Sequence, residues 1–361
     1  MKRDSKLYFF GFSRWKQKQT RLFFPGKEIL FCKNIEEAQA KGIGSESEIY
    51  IWGKKPFPRV EAYAKENTIP LFRVEDGFIR SVSLGSDLTK AYSLVVDSKG
   101  IYFDPTQESD LEYLLNTRSL DTTLLERARR LKQYLLTNKI SKYNLYQDRT
   151  ITLEGLKEGQ KIIMVPGQVE DDASIIYGAK GMSNLALLQE TRKCAPDAYI
   201  IFKPHPDVLA GNRKGDIPTQ EALRYCDTII TKASLDSVLV VSDEVHTMTS
   251  LVGFEALLRG KEVYTYGMPF YAGWGLTHDR ERCSRRQRKR SLDELIAMTY
   301  ILYPKYVDPR SGSLCEVEVT LANIELMKTR YNTDIFYRTS VDIRNFISRK
   351  IQLLIKVILG E

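Results

Sequence analysis

The chain has 361 residues, a formal charge of +8 and five cysteines. Its length suits two domains with sizeable cores, and its hydrophobic content of 43% excludes a disordered or fibrous protein. The positive charge favours an anionic partner, such as a nucleotide, an acidic sugar or a phospholipid surface. The cysteines are scattered without CxxC or metal-ligand spacing, which argues against disulfides and a zinc site and indicates a reducing compartment.

The sequence does not predict a targeting or membrane-spanning segment. Its first residues, MKRDSKLYFFGF, contain too short an apolar run for a signal peptide. A membrane-spanning helix needs about 18 consecutive apolar residues, and no stretch of this kind occurs. We therefore expect a cytoplasmic protein.

Short apolar runs alternate with helical patterns near the start of the chain. The runs are KLYFFGF, EILFC, SEIYIWG and PLFRVED, with IEEAQAKGI and RVEAYAKEN between them. This alternation predicts a doubly wound parallel sheet. Residues 13–16, SRWK, follow the first strand, so we expect Arg14 at the carboxyl edge, where such sheets bind ligands.

Two adjacent acids occur in RVEDGFIRSVSLGSDL, residues 73–88, directly after a predicted strand. Glu75 and Asp76 should lie at the carboxyl end of that strand, close in sequence to Arg73 and Arg80. Paired carboxylates can exchange protons while neighbouring guanidinium groups hold an anionic substrate. The alternative is an Asp-Gly turn between two strands, which is common in proteins.

A domain boundary is predicted near residue 157. A helical pattern over 121–144 is followed by ITLEGLKEGQ, whose glycines and charges break the periodicity, and KIIMVPGQ then begins a new strand. The predicted organisation is one Rossmann-like domain over 1–157, a second over 158–335 and a C-terminal helix over 336–361.

Four polar residues follow the first strand of the second domain: Gln168, Glu170, Asp171 and Asp172. By the carboxyl-edge argument they should face the first domain across a cleft. Three acids so close together repel one another unless water or cations contact them. A solvated acidic loop is the alternative.

A histidine between two prolines follows the next predicted strand. The prolines fix the backbone around His205, which is one of only three histidines in the chain. A rigid imidazole close to Lys203 can bind a phosphate. An ordinary turn histidine is the alternative.

Residues 246–277, HTMTSLVGFEALLRGKEVYTYGMPFYAGWGLT, predict a loop, a helix, a strand and a second loop. Hydroxyls of Thr249 and Ser250 precede the helix, and Gly260 ends it. Free N–H groups at a helix N-terminus bind phosphate readily. Glu255, one turn into the helix, could accept hydrogen bonds from two ribose hydroxyls. A helix that is merely capped by Ser and Thr is the alternative.

Two basic segments follow. Residues 282–290, RCSRRQRKR, lack interleaved aromatics, so we expect them to face solvent or anionic lipid rather than nucleic acid. Residues 341–359, VDIRNFISRKIQLLIKVIL, place apolar residues at helical spacing among lysines and arginines. A basic amphipathic helix of this kind fits the surface of an anionic bilayer. Packing of the helix across the two domains is the alternative.

Stretches along most of the chain together resemble the KpsC-type capsule polysaccharide β-Kdo transferases: FGFSRWK, RVEDGFIRS, YSLVVDSKGIYFDPT, ISKYN, PGQVEDDAS, IIFKPHPDV and HTMTSLVGFEALLRGKEVYTYGMPFYAGWG. Such proteins usually carry two transferase modules, and this chain has the length of one and looks most like the second. The acid-acid-Gly sequence at 75–77 and the His-Pro sequence at 205–206 are also similar to motifs of bacterial sialyltransferases.

The resemblance implies an α/β fold of the GT-B-like class, with two Rossmann-like, doubly wound domains facing a central cleft. It implies CMP-β-Kdo as the donor and retention of configuration at the anomeric carbon. The acceptor would be a Kdo-terminated phospholipid, in the short linker between the lipid and a capsule polysaccharide.

The resemblance also implies residue roles. Retention requires either a covalent sugar–enzyme intermediate or a front-face route, and the resemblance implies the first, with an aspartate nucleophile. The family pattern Gln-x-x-x-Asp matches Gln168 to Asp172, so Asp172 is the expected nucleophile, with Asp171 as the alternative. Glu75 is expected to exchange a proton with the acceptor hydroxyl, with Asp76 as the alternative. The residues expected to bind the donor are Lys203, His205, Pro206, Thr249, Ser250, Gly253 and Glu255, and those expected to bind Kdo or the acceptor are Arg14, Arg73, Arg80 and Gln168.

These side chains can neutralise a monophosphate leaving group, so no metal or other cofactor is expected. The expected partners are CMP-Kdo, a lipid-linked oligo-Kdo acceptor, an anionic membrane surface and capsule assembly proteins, with no nucleic acid. The expected location is the cytoplasm, at the inner membrane. Two other functions stay open: an inverting transferase of the CMP-sialic-acid type, and a non-catalytic protein that binds an acidic glycan. The binding protein would not need the acids, and all of them are present.

Overall fold

The computed structural model describes residues 6–79, 90–140, 150–211, 213–344 and 346. Within these, the chain forms two compact units. The first holds residues 6–79, 90–98 and the part from 300 onwards, and the second holds 99–140 and 150–299. This division differs from the predicted boundary near residue 157, because residues 99–140 pack with the second unit and the chain returns to the first after residue 299.

The first unit contains a seven-stranded sheet in the order β13-β12-β5-β4-β3-β1-β2. Its strands are β1 (Leu7–Phe10), β2 (Ile29–Cys32), β3 (Glu48–Trp52), β4 (Leu71–Asp76), β5 (Ser93–Asp97), β12 (Pro304–Val307) and β13 (Leu314–Cys315). Its helices are α1 (Arg14–Thr20), a 3-10 turn (Arg21–Phe23), α2 (Ile35–Ala40), α3 (Pro58–Glu66) and α13 (Val317–Thr333).

The predicted parallel sheet is confirmed for β1 to β4, while β5, β12 and β13 extend it in antiparallel pairings. All four residues of β1 are buried, as expected for a strand covered on both faces. On one face Tyr50 stacks between Phe9 and Phe72, with ring centroids 4.6 and 4.9 Å away. Since β2 and β3 flank β1 on opposite sides, the winding reverses between β1 and β3, and ligands bind beyond the carboxyl ends of such strands.

The second unit contains a six-stranded sheet in the order β11-β10-β9-β6-β7-β8. Its strands are β6 (Ile162–Pro166), β7 (Tyr199–Lys203), β8 (Thr228–Ile229), β9 (Glu244–Thr247), β10 (Glu262–Thr265) and β11 (His278–Asp279). Its helices are α4 (Asp110–Thr117), α5 (Thr122–Thr137), α6 (Ala173–Gly178), α7 (Asn184–Cys194), α8 (Pro206–Leu209), α9 (Thr219–Ala222), α10 (Leu235–Val241), α11 (Leu251–Leu258) and α12 (Leu292–Ile296). A π-helix, Ala297–Leu302, continues α12 into the first unit.

Every strand pairing in this second sheet is parallel. The order corresponds to the dinucleotide-binding arrangement, with the winding reversing between β6 and β9. Its core packs Ile163 and Val165 of β6 against Leu187 of α7 and Phe202 of β7. The predicted α/β fold with two mostly parallel sheets is therefore confirmed, and the helix predicted at 121–144 contains α5.

The described part of the C-terminal region is helical over α13 and again over 335–344. The predicted helix at 336–361 lies mostly outside the described residues. Within its described part, Phe336 is 85% exposed and Phe346 is 61% exposed, whereas Val341 is buried. Among the described residues, no helix combines the length and the apolar character needed to cross a bilayer.

Candidate functional site

In the first unit, Lys16 lies beside one of the two predicted acids. It belongs to α1, which follows β1 at the carboxyl edge of the sheet. Its Nζ lies 3.3 Å from Oδ2 of Asp76 and 3.4 Å from the ring centroid of Trp52, at the end of β3. The side chains of Lys16 and Asp76 are 17% and 15% exposed. Together with Trp15 they line a pocket that residues of β3 and β5 also border.

Glu75 and Asp76 end β4, at the carboxyl edge where the sequence predicts them. Oε1 of Glu75 accepts a hydrogen bond from the Asp76 backbone N–H at 3.0 Å. The neighbouring Gly77 is required by packing, because a Cβ there would lie 2.3 Å from Oγ of Ser93 on β5. The acid-acid-Gly sequence is therefore a strand end fixed by the adjacent strand, rather than a hairpin turn.

The three arginines predicted to bind Kdo or the acceptor have different surroundings. Arg73 forms an ion pair with Glu61 at 3.1 Å and donates to the carbonyl oxygens of Gly53 and Lys55, so its guanidinium ties β4 to the segment after β3. Arg14 is exposed at the start of α1. Arg80 lies outside the described residues.

In the second unit, the side chain of Gln168 connects the ends of β6 and β9, the two strands between which the winding reverses. It follows β6, and its Oε1 accepts hydrogen bonds from the backbone N–H groups of Thr249 and Ser250 at 3.0 and 3.1 Å, just after β9. Its Nε2 donates to Oγ1 of Thr249 at 3.0 Å. The residue is 6% exposed, and its backbone is held by the Asn184 side chain. The predicted phosphate-binding N–H groups thus already contact a side-chain oxygen.

The two candidate nucleophiles lie on the same loop after β6. Asp172 caps α6: its Oδ1 accepts hydrogen bonds from the backbone N–H and the hydroxyl of Ser174 at 2.9 and 2.8 Å. Asp171 is exposed and forms an ion pair with Arg213 at 3.2 Å. Of the two, Asp172 has the more fixed side chain, as a nucleophile requires.

Lys203 is the last residue of β7, and His205 follows two residues later at the same edge. Lys203 is 9% exposed and donates to the Ala233 carbonyl oxygen at 2.9 Å. Burial lowers the pKa of Lys203 to about 8. His205 caps α8 with Nδ1, which accepts a hydrogen bond from the Asp207 backbone N–H at 3.1 Å, and Pro206 is the first residue of that helix. This contact leaves Nε2 as the ring nitrogen that carries the proton in the neutral imidazole.

The helix α11 begins and ends as predicted, with Ser250 as N-cap and Gly260 at φ +70° after its last turn. Gly253 makes room for Tyr271: a Cβ at this position would lie 2.2 Å from the tyrosine hydroxyl oxygen. That hydroxyl donates to the Ser250 carbonyl oxygen at 2.5 Å. Glu255 is 3% exposed. Gly253 is therefore explained by the packing of Tyr271, and its predicted contact with the donor stays a prediction.

The prediction that the basic segment 282–290 faces solvent or lipid was wrong for several of its arginines. Arg286 and Arg290 are 8% and 4% exposed. Arg285 and Arg286 share the buried carboxylate of Glu112, at 2.6 and 3.0 Å. Arg286 also donates to the carbonyl oxygens of Pro269 and Ala272 in residues 267–275, GMPFYAGWG, here called the aromatic loop. Arg290 donates to two carbonyl oxygens of residues 115–118. These cations therefore hold α4 and the aromatic loop in place.

Sequence reasoning placed most candidate residues at a carboxyl edge but missed specific partners. Lys16 and Trp52 were detectable in principle, because Trp52 ends one predicted strand and Lys16 lies in the segment that follows another. The contact between Tyr271 and Gly253 carries no local sequence signal, since it depends on how the aromatic loop folds over α11.

Comparisons with known proteins show the family of the chain. A family model described as capsule polysaccharide biosynthesis protein matches residues 47–306. The chain is 43% identical over 316 residues to the capsule polysaccharide modification protein LipA of Neisseria meningitidis serogroup A, covering 87% of this chain and 44% of LipA. It is 40% identical over 331 residues to the lipopolysaccharide-processing protein LpsZ of Rhizobium meliloti, covering 91% of this chain and 72% of LpsZ. The chain thus spans less than half the length of LipA.

Two solved structures from Thermosulfurimonas dismutans match nearly their whole length. The KpsC β-Kdo 2,7 transferase is 36% identical, with a TM-score of 0.72 over 90% of this chain and 100% of that chain. The KpsC β-Kdo 2,4 transferase is 30% identical, with a TM-score of 0.76 over 90% of this chain and 98% of that chain. The resemblance to KpsC-type proteins seen in the sequence is therefore confirmed.

Proposed function

Because the chain belongs to the capsule polysaccharide biosynthesis protein family, we propose that it is a retaining β-Kdo glycosyltransferase. Its donor is CMP-β-Kdo, and its acceptor is a Kdo-terminated glycolipid in the linker of a capsule polysaccharide. The observation that carries the proposal is the match, over almost their full length, to two solved KpsC β-Kdo transferase chains. Acids at the carboxyl edges of both sheets supply the chemistry that such a transfer needs.

In the proposed reaction, the Asp172 carboxylate attacks the anomeric carbon of Kdo as the bond to the CMP phosphate oxygen breaks. CMP leaves with the bonding electron pair, and the sugar becomes an ester of Asp172. The acceptor hydroxyl then attacks the same carbon from the opposite side and gives its proton to Glu75, which regenerates Asp172. Two inversions give net retention. The cap contacts of Asp172 favour it over the exposed Asp171 as the nucleophile.

Charge on the leaving CMP is neutralised by Lys203, the last residue of β7, and by the Nε2–H of His205, two residues further along the chain. Gln168 acquires a different role from the one the sequence predicted. Since its amide contacts Thr249 and Ser250 from across the switch point, we assign it to holding the start of α11 in place rather than to the acceptor. A phosphate that used those N–H groups would have to displace the Gln168 oxygen.

The proposed acceptor is a lipid, so we propose that the protein works on the cytoplasmic side of the inner membrane, where capsule assembly proteins are its partners. The exposed Phe336 and Phe346 fit contact with a lipid surface. The donor chemistry needs no divalent metal, because a monophosphate can be neutralised by cationic side chains.

The decisive experiment is to incubate the purified protein with CMP-Kdo and a synthetic Kdo-terminated lipid, and to analyse the product by NMR and linkage analysis. We expect a β-linked Kdo. The sequence identity is higher to the 2,7 transferase, whereas the TM-score is higher for the 2,4 transferase. The linkage must therefore be measured. An α-linked product would indicate an inverting enzyme, and tight glycan binding without any product would indicate a binding protein. An Asp172→Asn variant is the matched inactive control.

A further inference from the structure

The arrangement around Lys16 bears on which of the two adjacent acids of the first unit exchanges a proton. Lys16 is the third residue of α1, and the turn is fixed by a hydrogen bond from its backbone N–H to the Ser13 carbonyl oxygen at 2.9 Å. Its ammonium lies 3.3 and 3.5 Å from the two carboxylate oxygens of Asp76. The ring of Trp52 covers the same ammonium at 3.4 Å.

This combination is stronger than an ordinary surface ion pair. The lysine and aspartate side chains are both more than four-fifths covered, so water screens the pair only weakly. A cation over the face of an indole ring gains additional attraction when it is partly desolvated. The position of Asp76 is therefore fixed from two sides, by β4 and by the Lys16 ammonium.

Glu75 has different surroundings, although it is the next residue. Side chains alternate across a strand, so Glu75 points to the face opposite Asp76. One of its oxygens accepts the Asp76 backbone N–H, and the other lies 3.1 Å from the point where a Cβ on Gly53 would stand. Gly53, whose φ is +53°, thus lies close beside the carboxylate, and a larger residue there would crowd it.

We propose that Lys16 is a positioning residue, which holds Asp76 as an ion pair against Trp52 and so leaves proton exchange with the acceptor to Glu75. The inference rests on the proposed transferase function and deepens it. Asp76 then serves as the fixed negative partner of Lys16, and the pair sets the backbone conformation from which Glu75 projects.

The test compares five variants in the CMP-Kdo transfer assay, one of them Asp76→Asn alone. Lys16→Met removes the charge and keeps most of the side-chain volume, whereas Lys16→Arg keeps the charge and can both pair with a carboxylate and stack on an indole. Lys18→Met is the matched control, because Lys18 is an exposed lysine on the same helix. Lys16→Met combined with Asp76→Asn asks whether Lys16 acts through Asp76.

We expect Lys16→Met to lower kcat by about tenfold to a hundredfold with little change in the KM of either substrate, as misplacement of a reacting group does. Lys16→Arg should restore most of the rate, and Lys18→Met should match the wild type. In the Asp76→Asn background, Lys16→Met should have no further effect. Equilibrium binding of CMP and the circular dichroism spectrum show whether each variant is folded. If Lys16→Met does not fold, Lys16→Gln takes its place.

Two results would overturn the inference. A Lys16→Met enzyme with wild-type kcat would show that the ion pair is dispensable. The second such result is that Lys16→Met raises only the KM of the acceptor, and that the double variant combines this rise with the full effect of Asp76→Asn. Lys16 would then bind the acceptor directly. If the wild-type protein makes no Kdo-containing product, the proposed function fails instead.

Discussion

Replacement of Lys203 by methionine should stabilise the protein while it weakens CMP binding. The lysine is 9% exposed, and burial lowers its pKa from 10.5 to about 8. In the folded state it therefore loses its proton more readily than in the unfolded state. Below about pH 8 both states are charged, and the whole cost of burying the charge is present. As the pH rises from about 8 to 10.5, the unfolded state holds more protons than the folded state, so the folded protein becomes relatively more stable.

The difference between those two pKa values corresponds to a cost of about 3 kcal/mol for burying the charged lysine. This is an upper bound on the gain in the free energy of unfolding of Lys203→Met, because the variant also loses the hydrogen bond to the Ala233 carbonyl. Methionine fills a similar volume without a charge. We expect Lys203→Met to raise the melting temperature by several degrees at pH 7, with the gain shrinking towards pH 10.

Lys203→Met should bind CMP more weakly, although it is more stable, if Lys203 contacts the phosphate. At pH 7 about nine-tenths of Lys203 is charged and at pH 9 about one-tenth, given a pKa of about 8. The phosphate is a dianion throughout this range. The wild type should therefore lose about tenfold in CMP affinity between pH 7 and pH 9, with proton uptake on binding at pH 9.

Isothermal titration calorimetry in buffers of different ionisation enthalpy measures both the affinity and the proton uptake. In Lys203→Met the affinity should be lower at pH 7 and nearly independent of pH up to 9. The reasoning is refuted if the variant binds CMP as tightly as the wild type at pH 7, because Lys203 would then be a buried structural cation alone.

Three further predictions concern the reaction and the membrane. Asp172→Asn and Glu75→Gln should each lower the transfer rate by at least about a hundredfold without lowering the melting temperature much, and near-normal turnover in either would move that role to the adjacent acid. His205→Ala should raise the Kd of CMP as well as lower kcat, measured by calorimetry and the transfer assay, and wild-type activity should survive EDTA; loss of activity in EDTA would show that a metal takes part. Truncation after Arg344 keeps the buried Val341 and removes three lysines and arginines, each worth about 1 kcal/mol at an anionic surface. In sedimentation assays it should weaken salt-sensitive binding to anionic liposomes, while transfer to a short soluble acceptor stays unchanged; loss of that activity would instead assign the segment to the fold.

The sequence predicted where the candidate residues lie because that depends on local order. Glu75 lies at the end of a predicted strand and Asp172 lies in the loop after another, and the carboxyl ends of parallel strands share one edge of a sheet. The Ser250 cap and Gly260 are equally local, since each acts within one helical turn.

The misjudged features depend on contacts between distant segments. The burial of Arg286 requires Glu112, which lies 174 residues earlier in the chain. The two units differ from the predicted domains for the same reason, because the linker composition near residue 157 does not reveal with which sheet residues 99–140 pack. The contacts of Gln168 with the turn after β9 likewise span 81 and 82 residues.

The interleaved order of the two units has a consequence for synthesis on the ribosome. The first sheet is completed by β12 and β13, which lie near residues 304–315, so the whole of the second unit is translated before these strands exist. Until then β5 has one unpaired edge, at which a strand of another chain could pair. The exposed edge of this incomplete sheet is therefore open to aggregation while about 200 further residues are added, which takes on the order of ten seconds or more at ordinary elongation rates. Slower elongation, or a shortage of chaperones, should lower the yield of soluble protein before any effect on its specific activity is seen.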